Sequence, residues 1–130
     1  MATPVLDFLT FRNGRGTLRP RGRYTLVEAV DMVSAAIANC RGLGVRTLLV
    51  DATGFVDLPI PTLLDRFLMV EDWASEAHGM VTVAMVAPPE YIHPRKFGVK
   101  VAHSFGLTCD VYATEEEAAA WLAQAGDAVA

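Results

Sequence analysis

The stretch VRTLLVD, residues 45–51, decides the fold class of this chain. It is a short, nearly continuous apolar run that ends at Asp51, which is typical of a strand buried on both faces at the centre of a sheet. Two further apolar runs, Met80 to Ala87 and Leu107 to Tyr112, predict strands of the same kind. Because helix-like segments separate the three strands, we predict an α/β fold with a partly parallel sheet and right-handed crossovers.

Four amphipathic helices are predicted between and after these strands. The first begins at the capping box Thr25-Leu26-Val27-Glu28 and carries an apolar residue every three or four positions. The second covers about Thr62 to Ala77, and the third begins at His93-Pro94, with proline in its first turn. The last begins after Thr114, and its Trp121 is expected to lie in the core against the sheet.

The N-terminal part of the chain predicts two strands joined by a hairpin turn. Val5 to Phe11 has the alternation of a strand, Asn13-Gly14 is a turn signal, and Thr17 to Tyr24 follows as the second strand. Pro20 within the second strand suggests that one of its sides is unpaired. The predicted order is therefore ββαβαβαβα, with a mixed five-stranded sheet and packed helices in a single domain over residues 1–130.

The composition excludes several classes of protein. The chain has 130 residues, a net charge of −4 and 52% hydrophobic residues, which fits a globular domain and argues against nucleic acid as the main partner. No apolar run approaches the ~20 residues of a membrane helix, and the N-terminus lacks the pattern of a signal peptide. We therefore expect a cytoplasmic protein without metal or cofactor, in which Cys40 and Cys109 are buried thiols.

Charge is unevenly distributed along the chain. One short window without an acid contains Arg12, Arg15, Arg19, Arg21 and Arg23. The last three of these share one face of the predicted second strand, because side chains alternate with a period of two. Such a face either protects the edge of a sheet from aggregation or binds an acidic partner. If the last helix lies near, the acidic cluster Glu115 to Glu117 could also balance it.

The loops that follow the parallel strands are the candidate ligand site, since ligands bind outside the carboxyl ends of such strands. We expect them to bring together Asp51, Thr53, Asp57, Tyr91 and His93. Asp51 more often caps its own turn, and His93 its own helix, than either contacts a ligand. No spacing typical of a nucleophile, a phosphate loop or a metal site accompanies them, so no catalytic residue is predicted.

Lys96 completes the candidate ligand site. With Arg95 and Lys100 it is predicted in the first turns of the third helix, where cations oppose the helix dipole. The three cations form either an ordinary charged helix face or a site for an acidic headgroup or phosphate. In the second case, free backbone amides would cooperate with the lysine.

The second helix carries more apolar residues than one buried face needs. On a helical wheel, the stripe expected to face the sheet consists of Leu63, Phe67, Val70, Ala74 and Ala77. Leu68, Met69 and Trp73 then lie at the flanks or outside. They mark a partner surface or the lid of a ligand cavity, unless a neighbouring helix or loop covers them.

Four pieces of the sequence form a recognisable series when taken in order. They are Gly22-Arg23-Tyr24-Thr25-Leu26, then LLVDATG at 48–54, VAMV at 83–86 and AAWL at 119–122. Together they resemble the small bacterial STAS-like (SpoIIAA-like) proteins, which are grouped with the CRAL-TRIO superfamily. The resemblance implies the fold of the anti-sigma factor antagonists and a role in binding protein partners or small ligands.

One feature of that family is missing from this sequence. The resemblance implies a serine near the start of the helix after the central strand, which a partner kinase phosphorylates in true antagonists. The corresponding stretch here, residues 57–62, contains no serine, and Thr62 is its nearest hydroxyl. We expect Thr62 to cap the helix instead.

Two functions are expected, and neither is enzymatic. The first is a regulatory or protein-interaction module of the STAS-like type, which binds a protein partner or forms a homodimer. The alternative is a carrier or sensor of a small apolar or anionic, lipid-like ligand. An enzyme is a distant third.

Overall fold

The sheet and helices are those of a computed structural model, which describes residues 5–129. In chain order the strands are β1 (Leu9–Arg12), β2 (Arg15–Leu18), β3 (Gly22–Arg23), β4 (Thr47–Asp51), β5 (Phe55–Val56), β6 (Thr82–Val86) and β7 (Cys109–Tyr112). The helices are α1 (Val5–Phe8), α2 (Leu26–Gly42), α3 (Leu63–Ala77), α4 (Phe97–Ser104) and α5 (Glu115–Val129). Within these residues, no helix has the length and apolar character needed to cross a membrane.

Five strands form the main sheet, in the spatial order β1-β2-β4-β6-β7. β1 pairs antiparallel with β2, and the other three pairs are parallel. β3 and β5 form a separate two-stranded parallel sheet. The predicted α/β fold is confirmed, with the order ββαβαβαβα and a mixed five-stranded sheet; α1, β3 and β5 are short additions to it.

Helices cover both faces of the main sheet, which explains why its central strands are apolar throughout. Leu48 and Val50 of β4 point into a core shared with α2, α3 and α4. Leu49 points to the opposite face, where Ala118 and Leu122 of α5 pack. Leu49 faces away from Leu48 and Val50 because successive side chains of a strand point to opposite faces of the sheet.

Trp121 packs against the core on the sheet, as the sequence predicts, but it is less buried than a core residue. Its side chain is half-buried, whereas Leu122 is 1% exposed. The ring of Trp121 packs beside Tyr112, with centroids 6.3 Å apart. Because α5 turns Ala118 and Leu122, four residues apart, towards the sheet, Trp121 is left on the flank of the helix.

Threonine caps fix the starts of three helices close to the predicted positions. Thr25 and Glu28 form a capping box at α2, and Thr62 and Asp65 form another at α3. The hydroxyl of Thr114 accepts a hydrogen bond from the third residue of α5 in the same way. These bonds satisfy backbone amides that the first turn of a helix leaves free.

The third predicted helix starts later than expected. A turn closes where the Lys96 N–H donates to the carbonyl of His93 at 2.8 Å, and α4 begins at Phe97. Lys96 has a left-handed backbone, with φ of 49°. Arg95 and Lys96 therefore precede the helix, and only Lys100 lies within it.

The N-terminal strand is shorter than its alternation predicts. Val5–Phe8 forms one helical turn, and the strand begins only at Leu9. The Phe8 side chain packs against the core, and its carbonyl accepts the N–H of Arg19 at 3.1 Å. These contacts are distant in sequence, so the local alternation does not reveal them.

The second predicted strand is also too long, and the reason lies at Pro20. β2 ends before this buried proline, which has no N–H with which to continue the ladder. Gly22, with φ of +122°, then redirects the chain so that Arg23 pairs with β5. Arg19, Arg21 and Arg23 therefore do not share one strand face, contrary to the prediction.

Candidate functional site

An apolar cavity lies beneath α2 and α3, against β6 and β7. Its volume is about 130 Å³. Val30 and Val33 of α2, Met69 and Trp73 of α3, and Met85 of β6 form much of its wall. The loops that follow β4 and β6 complete the lining, so the cavity lies beside the loops in which the candidate ligand site is predicted.

Gly98, near the start of α4, leaves room in this cavity. A Cβ placed on Gly98 would meet no atom closer than Cγ1 of Val70, at 3.9 Å. That distance is an ordinary van der Waals contact. Because Gly98 lines the cavity, we expect a longer side chain at this position to occupy part of it.

Trp73, which the helical wheel places at a flank of α3 or outside, forms part of the wall of the cavity. It is 5% exposed, and its indole N–H donates to the carbonyl of Val30 at 3.1 Å. Leu63 and Phe67, which are predicted to face the sheet, are 53% and 39% exposed. The other three residues of the predicted stripe, Val70, Ala74 and Ala77, do pack in the core. α3 packs on α2 and α4, and its buried face is rotated only enough to include Trp73 and to leave Leu63 and Phe67 outside.

The other two residues predicted as a lid or partner surface lie in different places. Met69 is half-buried and lines the cavity. Leu68 is 50% exposed and lies on the outer surface of α3. The structure thus assigns Met69 and Trp73 to the cavity wall and leaves Leu68 outside it.

Hydrogen bonds tie the two loops together beside the cavity. The Arg66 guanidinium donates to the carbonyl of Tyr91 at 3.1 Å, and the Tyr91 hydroxyl donates to the carbonyl of Leu58. Burial lowers the pKa of Arg66 from its usual value. His93 also lines the cavity, and its Nδ1 accepts the N–H of Arg95 at 3.1 Å. The sequence predicts that His93 caps its helix. In the structure it caps the turn before α4 instead, and the residue at the N-cap of α4 is Lys96.

Lys96 is paired with Asp110 at one side of the cavity. Its Nζ lies 2.7 Å from Oδ1 of Asp110, which also accepts the Val111 N–H at 2.8 Å, and the Tyr112 hydroxyl donates to the other oxygen at 3.0 Å. Burial alone would raise the pKa of Asp110, but the hydrogen bonds from Lys96, Val111 and Tyr112 together lower it. The charge of Lys96 is therefore balanced within the protein.

Asp51, Thr53 and Asp57 do not line the cavity. Oδ1 of Asp51 accepts the Thr53 N–H at 2.9 Å and the Thr53 hydroxyl at 2.6 Å, so it caps the turn after β4. Asp57 forms an ion pair with Arg23. The candidate site predicted from sequence is therefore divided: Tyr91, His93 and Lys96 reach the cavity, and the other three residues are engaged in local or cross-loop contacts.

Arg19 and Glu115 form a second polar group near the sheet. Two guanidinium nitrogens of Arg19 lie 2.9 Å from the two carboxylate oxygens of Glu115. The hydrogen bond from Arg19 is the main cause that lowers the pKa of Glu115 to about 2. Glu115, the first residue of the acidic cluster 115–117, thus neutralises the charge of Arg19.

Two polar residues of the cavity were missed by sequence reasoning. Asp110 interrupts the apolar strand β7, and a charged residue between Cys109 and Val111 was a usable signal. Arg66 lies on α3 between residues assigned to the buried stripe. In both cases the signal was an ionisable side chain on a face expected to be apolar.

The lining of the cavity suits binding better than chemistry. Burial raises the pKa of the Cys109 thiol to about 12, so the thiol is neutral near pH 7 and is not an activated nucleophile. Asp110, the carboxylate in the lining, already accepts three hydrogen bonds. Among residues 5–129, no group of three or more His, Cys, Asp or Glu side chains is placed to hold a metal ion.

Comparison with known proteins gives a similarity of structure and none of sequence family. No family model matches the chain, and no curated protein matches it. Its structure is similar to that of the anti-sigma factor antagonist SpoIIAA in its unphosphorylated form, with 19% sequence identity and a TM-score of 0.49. The match covers 87% of this chain and 94% of that chain.

Proposed function

We propose that this protein is a non-enzymatic module that binds a small apolar molecule in the cavity beneath α2 and α3. The observation that carries the proposal is the cavity itself, which combines a volume of about 130 Å³ with an almost wholly apolar lining. Pockets of this character, with a few placed polar groups, are the usual sites of small ligands. The cavity favours the sensor or carrier function over the other expected functions.

The volume limits the size of the ligand. A dry apolar cavity of about 150 Å³ in another protein binds benzene. The cavity of this protein is slightly smaller, at about 130 Å³. We therefore infer a compact ligand of the size of a single ring, and a long-chain lipid would not fit as a whole.

The polar groups favour an apolar ligand over an anionic one. Lys96 is neutralised by Asp110 at 2.7 Å, so it would have to break an ion pair to bind an anion. Arg66 donates to the carbonyl of Tyr91, and this bond holds the loops together. An apolar ligand would leave both of these interactions intact, because its binding free energy comes from the apolar area that it buries.

The proposal is tested with benzene and indole as probes and palmitate as a long-chain comparison. Backbone amide NMR shifts of the wild type would be followed during each titration. We expect saturable shifts at residues around the cavity with benzene or indole, and none with palmitate. A ligand at one hundred times its Kd should also raise the free energy of unfolding by about 2.7 kcal/mol.

A matched pair of glycine variants locates the binding. Gly98→Leu places a side chain in the cavity, and Gly42→Leu places the same side chain at the end of α2, where nothing lies within 4 Å of an added Cβ. We expect Gly98→Leu to lose binding of the probes and Gly42→Leu to retain it. If the wild type binds none of the small probes, or if Gly98→Leu binds them as well as the wild type does, the proposal is wrong.

Protein interaction is the second candidate function, and one observation favours it. α3 and the residues before it expose large apolar side chains, namely Ile60, Leu63, Leu64, Phe67 and Leu68, each between 39% and 66% exposed. Contiguous apolar surface of this kind marks interaction sites in soluble proteins. This role does not exclude the cavity, since the two features lie on different sides of α3.

A further inference from the structure

A short groove separates α2 from α3 on the outer surface of the protein. Its lining consists of Leu26, Val27, Val30, Asp31, Asp65, Leu68, Met69 and Asp72. Val27 and Leu68, one on each helix, are 70% and 50% exposed. The groove therefore offers apolar side chains to a partner on both of its sides.

The charges around this groove have one sign. Three of its lining residues are carboxylates, and no lining residue is a lysine, arginine or histidine. Asp65 accepts the N–H of Thr62 in the capping box, and Asp72 accepts the hydroxyl of Ser34 at 2.6 Å. Neither bond brings a positive charge, so the carboxylates present a negative rim to solvent.

We propose that this groove docks a basic amphipathic helix of another protein. The helix would insert an apolar side chain between Val27 and Leu68 and place lysines or arginines opposite Asp31 and Asp72. The proposal rests on the second candidate function and names the chemistry of the partner. Charge complementarity of this kind directs an encounter and fixes its orientation.

A helix fits the groove better than an extended segment. In a helix, residues three or four positions apart lie on the same face, so an apolar anchor and its basic neighbours can point into the groove together. In a strand, neighbouring side chains point to opposite faces. The floor is formed in part by Met69, whose flexible side chain adapts to anchors of different shape.

The charges also argue against a second copy of this chain as the occupant. A two-fold interface would place the same surface on both partners. Asp31, Asp65 and Asp72 of one copy would then face the same three carboxylates of the other. Like charges opposed across an interface are unfavourable, so the expected homodimer would not form through this groove.

The test uses two designed peptides of about five helical turns, ~18 residues each. Both carry the same leucine stripe, and they differ only in having lysine or glutamate on the polar face. Fluorescence anisotropy would measure their binding to the full chain. We expect the lysine peptide to bind with an affinity that falls as salt is raised, and the glutamate peptide not to bind.

Charge-reversal variants locate the peptide. Asp31→Lys should weaken binding of the lysine peptide about tenfold or more, as expected for loss of a close complementary charge. Glu116→Lys makes the same change of charge on the exposed first turn of α5 and should leave binding within about twofold. Leu68→Ser should also weaken binding of the lysine peptide. Leu43→Ser is the control, because Leu43 is 65% exposed but lies outside the groove, and it should leave binding unchanged.

Three results would overturn the proposal. They are equal binding of both peptides, equal effects of Asp31→Lys and Glu116→Lys, and wild-type self-association that Leu68→Ser abolishes, since the last would identify a second copy as the occupant. In the last case the protein-interaction role would stand while the basic helix would not. Binding of benzene is measured separately, so none of these three results tests the cavity proposal.

Discussion

The indole N–H of Trp73 donates to the backbone carbonyl of Val30 at 3.1 Å, which joins α3 to α2 at the wall of the cavity. A buried indole needs a partner for its N–H, and this carbonyl supplies it. Trp73 therefore fixes the position of α3 by a polar bond as well as by packing. It also sets the orientation that brings Met69 to the cavity and leaves Leu68 outside.

Trp73→Phe and Trp73→Ala should separate the bond from the packing. Trp73→Phe keeps most of the apolar surface, loses the donor and should lower the free energy of unfolding by about 1 kcal/mol for the lost hydrogen bond, plus a smaller packing loss. Trp73→Ala should lower it by about 3–5 kcal/mol. Urea denaturation measures both. Equal losses in the two variants would show that the hydrogen bond, and not the ring, holds α3.

Gly98→Ala should stabilise the protein. The added Cβ makes an ordinary contact with Val70, and replacing a helical glycine by alanine contributes roughly 0.5–1 kcal/mol. Gly54→Ala is the matched comparison, because a Cβ on Gly54 would collide with the backbone carbonyl oxygen of Pro20. We expect thermal denaturation to show a higher Tm for the first variant and a lower Tm for the second. A lower Tm for Gly98→Ala would mean that the space beside Val70 is already filled.

The Arg19–Glu115 pair should make stability depend on pH in acid. The folded-state pKa of Glu115 is lowered from 4.5 to about 2, chiefly by the hydrogen bond from Arg19. The stabilisation is therefore fully present above about pH 4.5 and is lost as the pH falls towards 2. Because the two side chains are 57% and 35% exposed, it should amount to less than about 1 kcal/mol.

Glu115→Gln tests this dependence. Urea denaturation at several pH values should show a smaller loss of stability between pH 4.5 and 2 for this variant than for the wild type. Glu116→Gln, at the next and more exposed residue, should keep the wild-type profile. Identical profiles for all three proteins would show that the ion pair does not form in solution.

The two neighbours on α5 should differ in their contribution to stability. Leu122 is 1% exposed, and Leu122→Ala should lower the free energy of unfolding by about 2–5 kcal/mol. Trp121 is only half-buried, so Trp121→Ala should lower it by less than the roughly 3–5 kcal/mol of a fully buried tryptophan. Chemical denaturation of both variants shows which of them loses more free energy of unfolding. A larger loss for Trp121→Ala would mean that the flank of α5 is covered in solution.

Local chemistry made much of the fold predictable. The capping boxes at Thr25 and Thr62 join residues three positions apart, so both partners of each hydrogen bond can be recognised in a short stretch of sequence. The apolar run 45–51 was sufficient for a central strand because both of its faces are covered. The N-terminal elements were less predictable, since they depend on distant contacts such as that between Phe8 and Arg19.

The rotation of α3 could not be obtained from its own sequence. Apolar residues occupy most of the circumference of this helix, so a helical wheel allows several buried faces. The choice is made by Val30 on another helix, which accepts the indole N–H of Trp73. Contacts between distant residues also explain why the candidate site is divided. Asp57 pairs with Arg23, and the sequence predicts Arg23 in a strand of the main sheet, whereas it lies in β3.

Val30 and Met69 border both the cavity and the outer groove. Leu26 borders both as well, so occupants of the two sites would contact the same three residues. If a molecule in the cavity changes the rotamer of Met69, it changes the affinity of the groove by some factor. Thermodynamic linkage then requires a peptide in the groove to change the affinity of the cavity by the same factor. Peptide titrations with and without benzene would measure that coupling in one direction, and benzene titrations with and without peptide would measure it in the other.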